Sequence, residues 1–304
     1  MKEKQTYPAL LILSGPTASG KSSLAESIAE AYKIPIISAD SRQIYKYFNI
    51  GTAKPDPAIL KKLDYEMIDI IEPEESFSAG KFAREAARLI RDKYRHRPVV
   101  MIAGGTGFYI EALLKGLPDI PEIDEEIDKK WNNALETDGL LFLQEQIKTA
   151  DFKYHSHGDL SNPQRLLRAL KIVQQTGRSI FSFSPVPVLP HTPVLLEVAI
   201  RHEREELYRR IDQRVDRMVE KGLVEEAENL LIYRDTPAMR TVGYRELLPY
   251  FDGKISLEEA LGKIKQHSRN YAKRQWTWFR KHGQWEWIRP DEKDLIKKWL
   301  QNIL

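Results

Sequence analysis

Cysteine is absent from all 304 residues, which excludes disulfides and thiolate-held metals. No apolar run near the start could serve as a membrane span or a leader core: residues 9–13 give only five apolar positions before a Ser-Gly-Pro turn. A strong excess of one charge is missing as well. Lys and Arg number 47 against 44 Asp and Glu, a net +3, so total charge is a weak pointer to a polyanionic partner. Internal repeats and low-complexity tracts are absent. The histidines, His96, His155, His157, His191, His202, His267 and His282, show no ligand spacing with nearby acids, so a zinc site is not expected. What is present, 42% hydrophobic and 30% charged residues, suits a soluble cytoplasmic protein long enough for an α/β core with an inserted lobe.

Distribution says more than composition. Residues 8–116 alternate strand and helix patterns. Residues 9–13 form a continuous apolar run, as in a strand buried on both faces of a parallel sheet. A helix is predicted from 21 to about 32, strands at 34–38 and 99–103, and a helix over 82–94. This βαβ order implies a right-handed, helix-flanked parallel sheet. After Gly116 the pattern changes to an acidic, proline-containing stretch (119–128) and helices near 131–135 and 140–148. A third helix opens at Asn162-Pro163, where Asn suits an N-cap and Pro the first turn, and stops at Gly177. A proline-rich segment, 185–193, leads to another strand candidate at 194–200, and the chain is mostly helical from Arg204. The expected organisation is a core of 1–116 and 186–304 with a helical insertion at 117–185.

Gly15, Pro16, Thr17, Ala18, Ser19, Gly20, Lys21 and Ser22 fit the G-x-x-x-x-G-K-[ST] phosphate loop between a predicted strand and a predicted helix. Such a loop turns backbone N–H groups around an anion at a helix N-terminus. Lys21 adds a point charge and the Ser22 hydroxyl can ligate Mg²⁺. The motif specifies a diphosphate, not a reaction. The strand at 99–103 ends in Gly104-Gly105-Thr106-Gly107, without the metal-holding Asp common in nucleotide hydrolases of this class. The nearest acid at a strand end is Asp40, which either faces the bound phosphate or caps residues 41–45.

Arg210, Arg214 and Arg217 share one helix face at i, i+4 and i+7. They suit a solvated face with a Glu206–Arg210 pair as well as an anion site. Residues 263–281 carry Lys263, Lys265, Arg269, Lys273, Arg274, Arg280 and Lys281 with no acid among them. Tyr271, Trp276, Trp278 and Phe279 are interleaved. Exposed rings among bases suit RNA, and rings at helical spacing suit a core; Trp276 or Phe279 is expected inside, with the bases outside.

The P-loop, Ala39-Asp40-Ser41-Arg42-Gln43-Ile44-Tyr45, Ile50-Gly51-Thr52-Ala53-Lys54-Pro55 and Gly104-Gly105-Thr106-Gly107-Phe108-Tyr109 follow one another in order. Asn162 to Leu170, Arg240-Thr241-Val242-Gly243-Tyr244-Arg245 and Ala272 to Arg280 extend the pattern. Together they resemble the bacterial tRNA dimethylallyltransferases, the tRNA isopentenyltransferase family, nearly end to end. The resemblance implies a P-loop-type α/β fold and transfer of a dimethylallyl group from dimethylallyl diphosphate to N6 of adenosine 37 in tRNA. It implies Mg²⁺, a monomer, Asp40 as general base, and a leaving diphosphate on Lys21 and the P-loop. Thr106 is then placed against the substrate, with Arg214, and less firmly Arg210, on the diphosphate. It also implies tRNA contacts at Asp40, Ser41, Arg42, Gln43 and Thr106, at Gln164, Arg165, Leu166, Leu167 and Arg168, and at Arg240, Arg245, Lys273 and Arg274. Leu166, Leu167 and Leu170 read as core from their spacing. Three rivals remain at this stage: a P-loop small-molecule kinase, an adenylate isopentenyltransferase using free nucleotides, and a nucleotide-gated RNA-binding module.

Overall fold

A computed structural model describes residues 7–189 and 193–304; His191 lies outside the described residues. The chain divides into two compact units, Met1–Leu114 with Val188–Leu304, and Lys115–Pro187. These limits are two residues wider at each end than the insertion expected from the sequence.

The first unit opens with β1 (Ala9–Ser14), α1 (Lys21–Tyr32), β2 (Ile36–Ser38), α2 (Pro57–Lys62), β3 (Tyr65–Glu66), α3 (Ala79–Arg88), β4 (Val99–Gly104) and α4 (Gly107–Lys115). All six residues of β1 are buried, because β1 lies between β4 and β7 with a packed layer on each face. The strand at 34–38 starts two residues late. Pro35 has no N–H to give a ladder, although its carbonyl accepts from Met101 at 3.0 Å. α3 starts early because the Ser78 hydroxyl caps it, accepting from the Lys81 N–H at 3.2 Å. It finishes in a π-helical turn, Leu89–Lys93.

The second unit holds β5 (Leu117–Pro118), α5 (Glu125–Thr137), α6 (Gly139–Ala150), α7 (Phe152–His157), α8 (Pro163–Thr176) and β6 (Pro185–Val186). β5 and β6 pair antiparallel. Asn162 caps α8, its side-chain oxygen accepting from Gln164 and Arg165 N–H, and Gly177 ends it in a left-handed turn. Trp131, Leu143, Ile147, Leu166, Leu167 and Leu170 form this unit's core.

The chain then completes the first unit with β7 (Leu195–Ile200), α9 (Arg204–Glu220), α10 (Leu223–Asn229), α11 (Leu248–Phe251), α12 (Leu257–Lys281), β8 (Glu286–Ile288) and α13 (Asp294–Ile303). The sheet order is β3-β2-β4-β1-β7-β8, with every pair parallel. β8 interrupts a region expected to be helical; three residues are too few to show a period of two. Fully buried Leu10, Leu11, Ile12 and Leu13 each stabilise the centre by about 1.5–3 kcal/mol. The parallel order brings the carboxyl ends of β1, β2 and β4 to one edge, where ligands bind in open α/β sheets.

Candidate active site

At that edge the Ser14 hydroxyl donates to the Gly104 carbonyl at 2.7 Å, tying the ends of β1 and β4. The P-loop leaves β1 through Gly15 at φ 147° and enters α1 through Gly20 at φ 92°. Ala18 also has positive φ, at 61°, a conformation that costs energy for a residue with a Cβ. The result is a backbone concavity at the start of α1, whose first N–H groups lack acceptors within the helix. The Lys21 ammonium folds back to the Pro16 carbonyl at 3.5 Å. Burial lowers its pKa to about 8; Asp40 opposes that shift and Arg214 adds to it.

β2 delivers Asp40. One carboxylate oxygen accepts from the Arg42 N–H at 2.8 Å, so Asp40 does stabilise the turn after β2. It also lines a cavity of about 230 Å³ together with Lys21, Thr17 and Ser22. Asp40 therefore caps the turn and also faces the cavity beside Lys21. Among the described residues it is the sole carboxylate lining this cavity, against Lys21, Arg42, Arg214, Arg240, Arg245 and Arg274. Thr106, just beyond β4, accepts the Ser41 N–H at 3.0 Å and donates to the Ser41 hydroxyl at 3.3 Å. Tyr271 from α12 lines the cavity beside Asp40. Burial, then the Asp40 charge, push its phenol up to about 12, so it stays a neutral hydroxyl.

α9 brings its arginines to the loop because Leu207, Ile211, Val215 and Met218 bury the adjoining stripe of the helix. The Arg214 guanidinium donates to the Thr17 hydroxyl at 2.8 Å. Its pKa is lowered by burial, with Asp40 pulling the other way. Arg210 donates instead to the Ala18 carbonyl at 2.9 Å, so this nitrogen holds the loop rather than the anion. The expected Glu206–Arg210 pair is replaced by Glu206 with His202 at 3.1 Å. Arg210, Arg214 and Arg217 also line a wider cavity of about 830 Å³ that shares Lys21 and Ser22 with the first.

Gln275 was not singled out by its residue type, and it locks the site. It accepts the Thr17 N–H at 2.8 Å and donates to the Gly105 carbonyl at 2.9 Å, joining P-loop to Gly-rich turn. Gly107 lets α12 come this close: a Cβ there would stand 2.2 Å from the Trp278 ring. Tyr271 and Gln275 are i and i+4 on the same helix as the buried residues Ile264, Ala272 and Phe279. Polar residues on a buried stripe were the available signal.

The family model described as IPP transferase matches residues 43–282. The chain belongs to the IPP transferase family. Among its relatives, a tRNA dimethylallyltransferase of Cytophaga hutchinsonii is 39% identical, the match covering 93% of each chain. One from Geotalea uraniireducens is 40% identical, covering 93% of both. The crystal structure of a full-length tRNA isopentenylpyrophosphate transferase from Bacillus halodurans aligns over 99% of this chain and 96% of its own. Its TM-score is 0.69 at 34% identity. A eukaryotic dimethylallyltransferase acting on tRNA, 24% identical with a TM-score of 0.73, shares the fold over 89% of this chain and 69% of that one.

Within this IPP transferase fold, several sequence expectations change. Leu166 and Leu167 are sealed in the second unit's core at 0% and 3% exposure, so their side chains cannot touch RNA. Gln164, Arg165 and Arg168 are exposed on that unit, with Arg165 paired to Asp159 at 3.2 Å. Gln43 is buried, and its amide donates to the Ala53 and Thr52 carbonyls at 2.9 and 3.3 Å. Its amide is thus committed to fixing the wall of the cavity. The basic run on α12 is not unopposed either. Lys263 pairs with Glu259, Lys265 with Asp216 and Arg269 with Asp212. Lys273, Arg274, Arg280 and Lys281 make no ion pair among the described residues and are exposed. Phe279 is the ring buried inside, at 1% exposure; Trp276 is half-buried against Trp287, 5.2 Å away.

The Ile50-Gly51-Thr52-Ala53-Lys54-Pro55 segment lines both cavities. Glu226 holds it, accepting the Asn49, Ile50 and Gly51 N–H groups at 2.9–3.3 Å, and the Tyr244 hydroxyl at 2.5 Å. This clamp joins residues far apart in sequence, so no local pattern announced it.

Proposed function

We propose that this chain is a tRNA dimethylallyltransferase, moving the dimethylallyl group of dimethylallyl diphosphate to N6 of adenosine 37 beside the anticodon. The observation that carries this reading is Asp40, a lone carboxylate in a basic cavity opposite a P-loop, with no acid at the end of β4. A kinase needs a metal-holding carboxylate near the transferred phosphate; an alkylating enzyme needs an anion cradle and one base.

In the reaction the C1–O bond of the allyl diphosphate breaks and its electron pair leaves with the diphosphate. The N6 nitrogen forms the new C–N bond and gives its proton to Asp40. Lys21, the inward N–H groups and Arg214 meet the charge that grows on the departing diphosphate, which is where donors lower a barrier most. Thr106, held by Ser41, offers its hydroxyl oxygen to the adenine. The base must leave its stack to enter so small a cavity. Among the described residues no three His, Asp or Glu cluster as a metal cage. Mg²⁺, if bound, would be held by the Ser22 hydroxyl of the P-loop and would supply Lewis acidity to the leaving group.

The exposed Arg240, Arg245, Lys273 and Arg274 suit the phosphates of the anticodon loop, and Gln164, Arg165 and Arg168 offer further polar contacts from the second unit. A monomer in the cytoplasm is part of this reading; among the described residues no helix is long and apolar enough to cross a membrane.

Two measurements check it. Labelled dimethylallyl diphosphate, incubated with the protein and an anticodon stem-loop, should label RNA only when adenosine stands at position 37. Label on free adenine nucleotide, or phosphate transfer from ATP, would overturn the assignment. Binding of the stem-loop should fall with salt with a log–log slope of roughly −3, from about four phosphates met by these basic side chains. Replacing Lys273 and Arg274 with Ala should flatten that slope by about half; a parent slope near zero would remove the basic face from recognition.

A further inference from the structure

His202 stands just beyond the end of β7, against the P-loop and outside the lining of both cavities. Its ring is almost closed off, with the side chain 4% exposed. Nε2 lies 2.8 Å from the Ser19 carbonyl. A carbonyl can only accept, so Nε2 is the donor. Nδ1 lies 3.1 Å from a Glu206 carboxylate oxygen one helical turn along, and this contact fixes the orientation of the ring, as a carboxylate partner commonly does for a working histidine. Beside it Arg210 donates to the preceding carbonyl, that of Ala18, at 2.9 Å.

We infer that His202 and Arg210 form a buttress that aims the P-loop, with His202, oriented by Glu206, as a positioning residue for the diphosphate. The argument is geometric. No peptide bond among the described residues is cis, and in a trans peptide the C=O and the following N–H point in opposite directions. Drawing the Ser19 carbonyl back toward His202 therefore turns the Gly20 N–H forward, into the concavity. Gly20 at φ 92° and Ala18 at φ 61° lie in the left-handed region, where the backbone alone gives Ala18 no reason to remain. Two fixed donors against the loop supply one. The Ser19 hydroxyl cannot do this work from within, since it is buried with no hydrogen-bond partner. A cradle held in this way needs no reorganisation when the diphosphate arrives or when its charge rises.

The inference deepens the proposed function and rests on it only for the identity of the ligand, because any diphosphate would feel a mis-aimed loop. Inorganic diphosphate is accordingly the probe, titrated by calorimetry into the full-length protein. His202→Leu should weaken its binding about tenfold, the loss of one aimed, charge-assisted donor. His202→Gln, which can place an N–H near the Nε2 position, should stay within about threefold of the parent. Glu206→Gln should fall between them. In steady-state assays the Leu variant should raise KM for dimethylallyl diphosphate and lower kcat, with KM for the stem-loop unchanged. Unchanged diphosphate affinity in His202→Leu overturns the inference, as does equal damage from Leu and Gln. If the Leu variant unfolds, the Glu206→Gln titration decides: parental affinity there overturns the buttress. Diphosphate binding that follows this order in a protein without prenyl transfer would sink the proposed function and leave the buttress standing.

Discussion

Asp40→Ala should bind the anticodon stem-loop with parental affinity and lose turnover by about 10²–10⁴-fold, the range for removing a general base. Two features of the site favour that separation. Among the described residues the carboxylate is the sole acid lining a basic cavity, so its removal leaves the phosphate-attracting field intact or stronger. Its one backbone contact, the Arg42 N–H at 2.8 Å, is a local turn bond worth about 1 kcal/mol, and the turn is also held by Ser41 through Thr106. Asp40→Asn sharpens the test, because the amide keeps an oxygen for Arg42 and cannot take the proton. Single-turnover rates with filter-binding affinities measure both quantities. Near-normal turnover in the Asn variant would remove Asp40 from proton transfer.

Lys21→Met should depress kcat/KM by about 10²–10³-fold, the scale for losing one aimed stabiliser of transition-state charge. Its pH behaviour is equally distinctive. In the free protein burial holds the ammonium near pKa 8. A bound diphosphate lies against it and favours the charged form, so the pKa rises on binding and a proton is taken up above pH 8. Affinity for inorganic diphosphate should then be flat in this respect below pH 8. Above it, affinity should decline by up to about tenfold per pH unit until the bound-state pKa is reached. Lys21→Arg, always protonated, should remove the decline. Calorimetry in buffers of different ionisation enthalpy reads the proton directly; no uptake at pH 9 would contradict the arrangement of Lys21, Asp40 and Arg214.

These two outcomes also separate the competing chemistries. Loss of turnover at both positions with ATP inert supports alkyl transfer. A nucleotide-gated binding module would lose RNA affinity with Lys21 and remain indifferent to Asp40.

The sequence by itself determined the elements whose signal is local. β1 is readable because five successive positions, 9–13, buried on both faces, demand apolar side chains. α1 and its loop are readable because an anion cradle needs Gly at left-handed φ followed by Lys and a hydroxyl. Asn162, Pro163 and Gly177 delimit α8 because caps are chemistry within a few residues of the helix end. The tertiary structure alone decided what depends on residues brought together from afar. Seen only as a helix face, Arg210 and Arg214 look equivalent. The fold gives one the Ala18 carbonyl and the other the Thr17 hydroxyl, because a helical step of four residues moves a side chain one turn along the loop. Three of the seven bases of α12 lose their freedom to Glu259, Asp216 and Asp212, two of which come from α9. Gln275, His202 and Glu226 act on partners 170 or more residues distant. Hydrogen bonds of that kind leave no periodicity and no motif, since a single donor at the right place in space suffices.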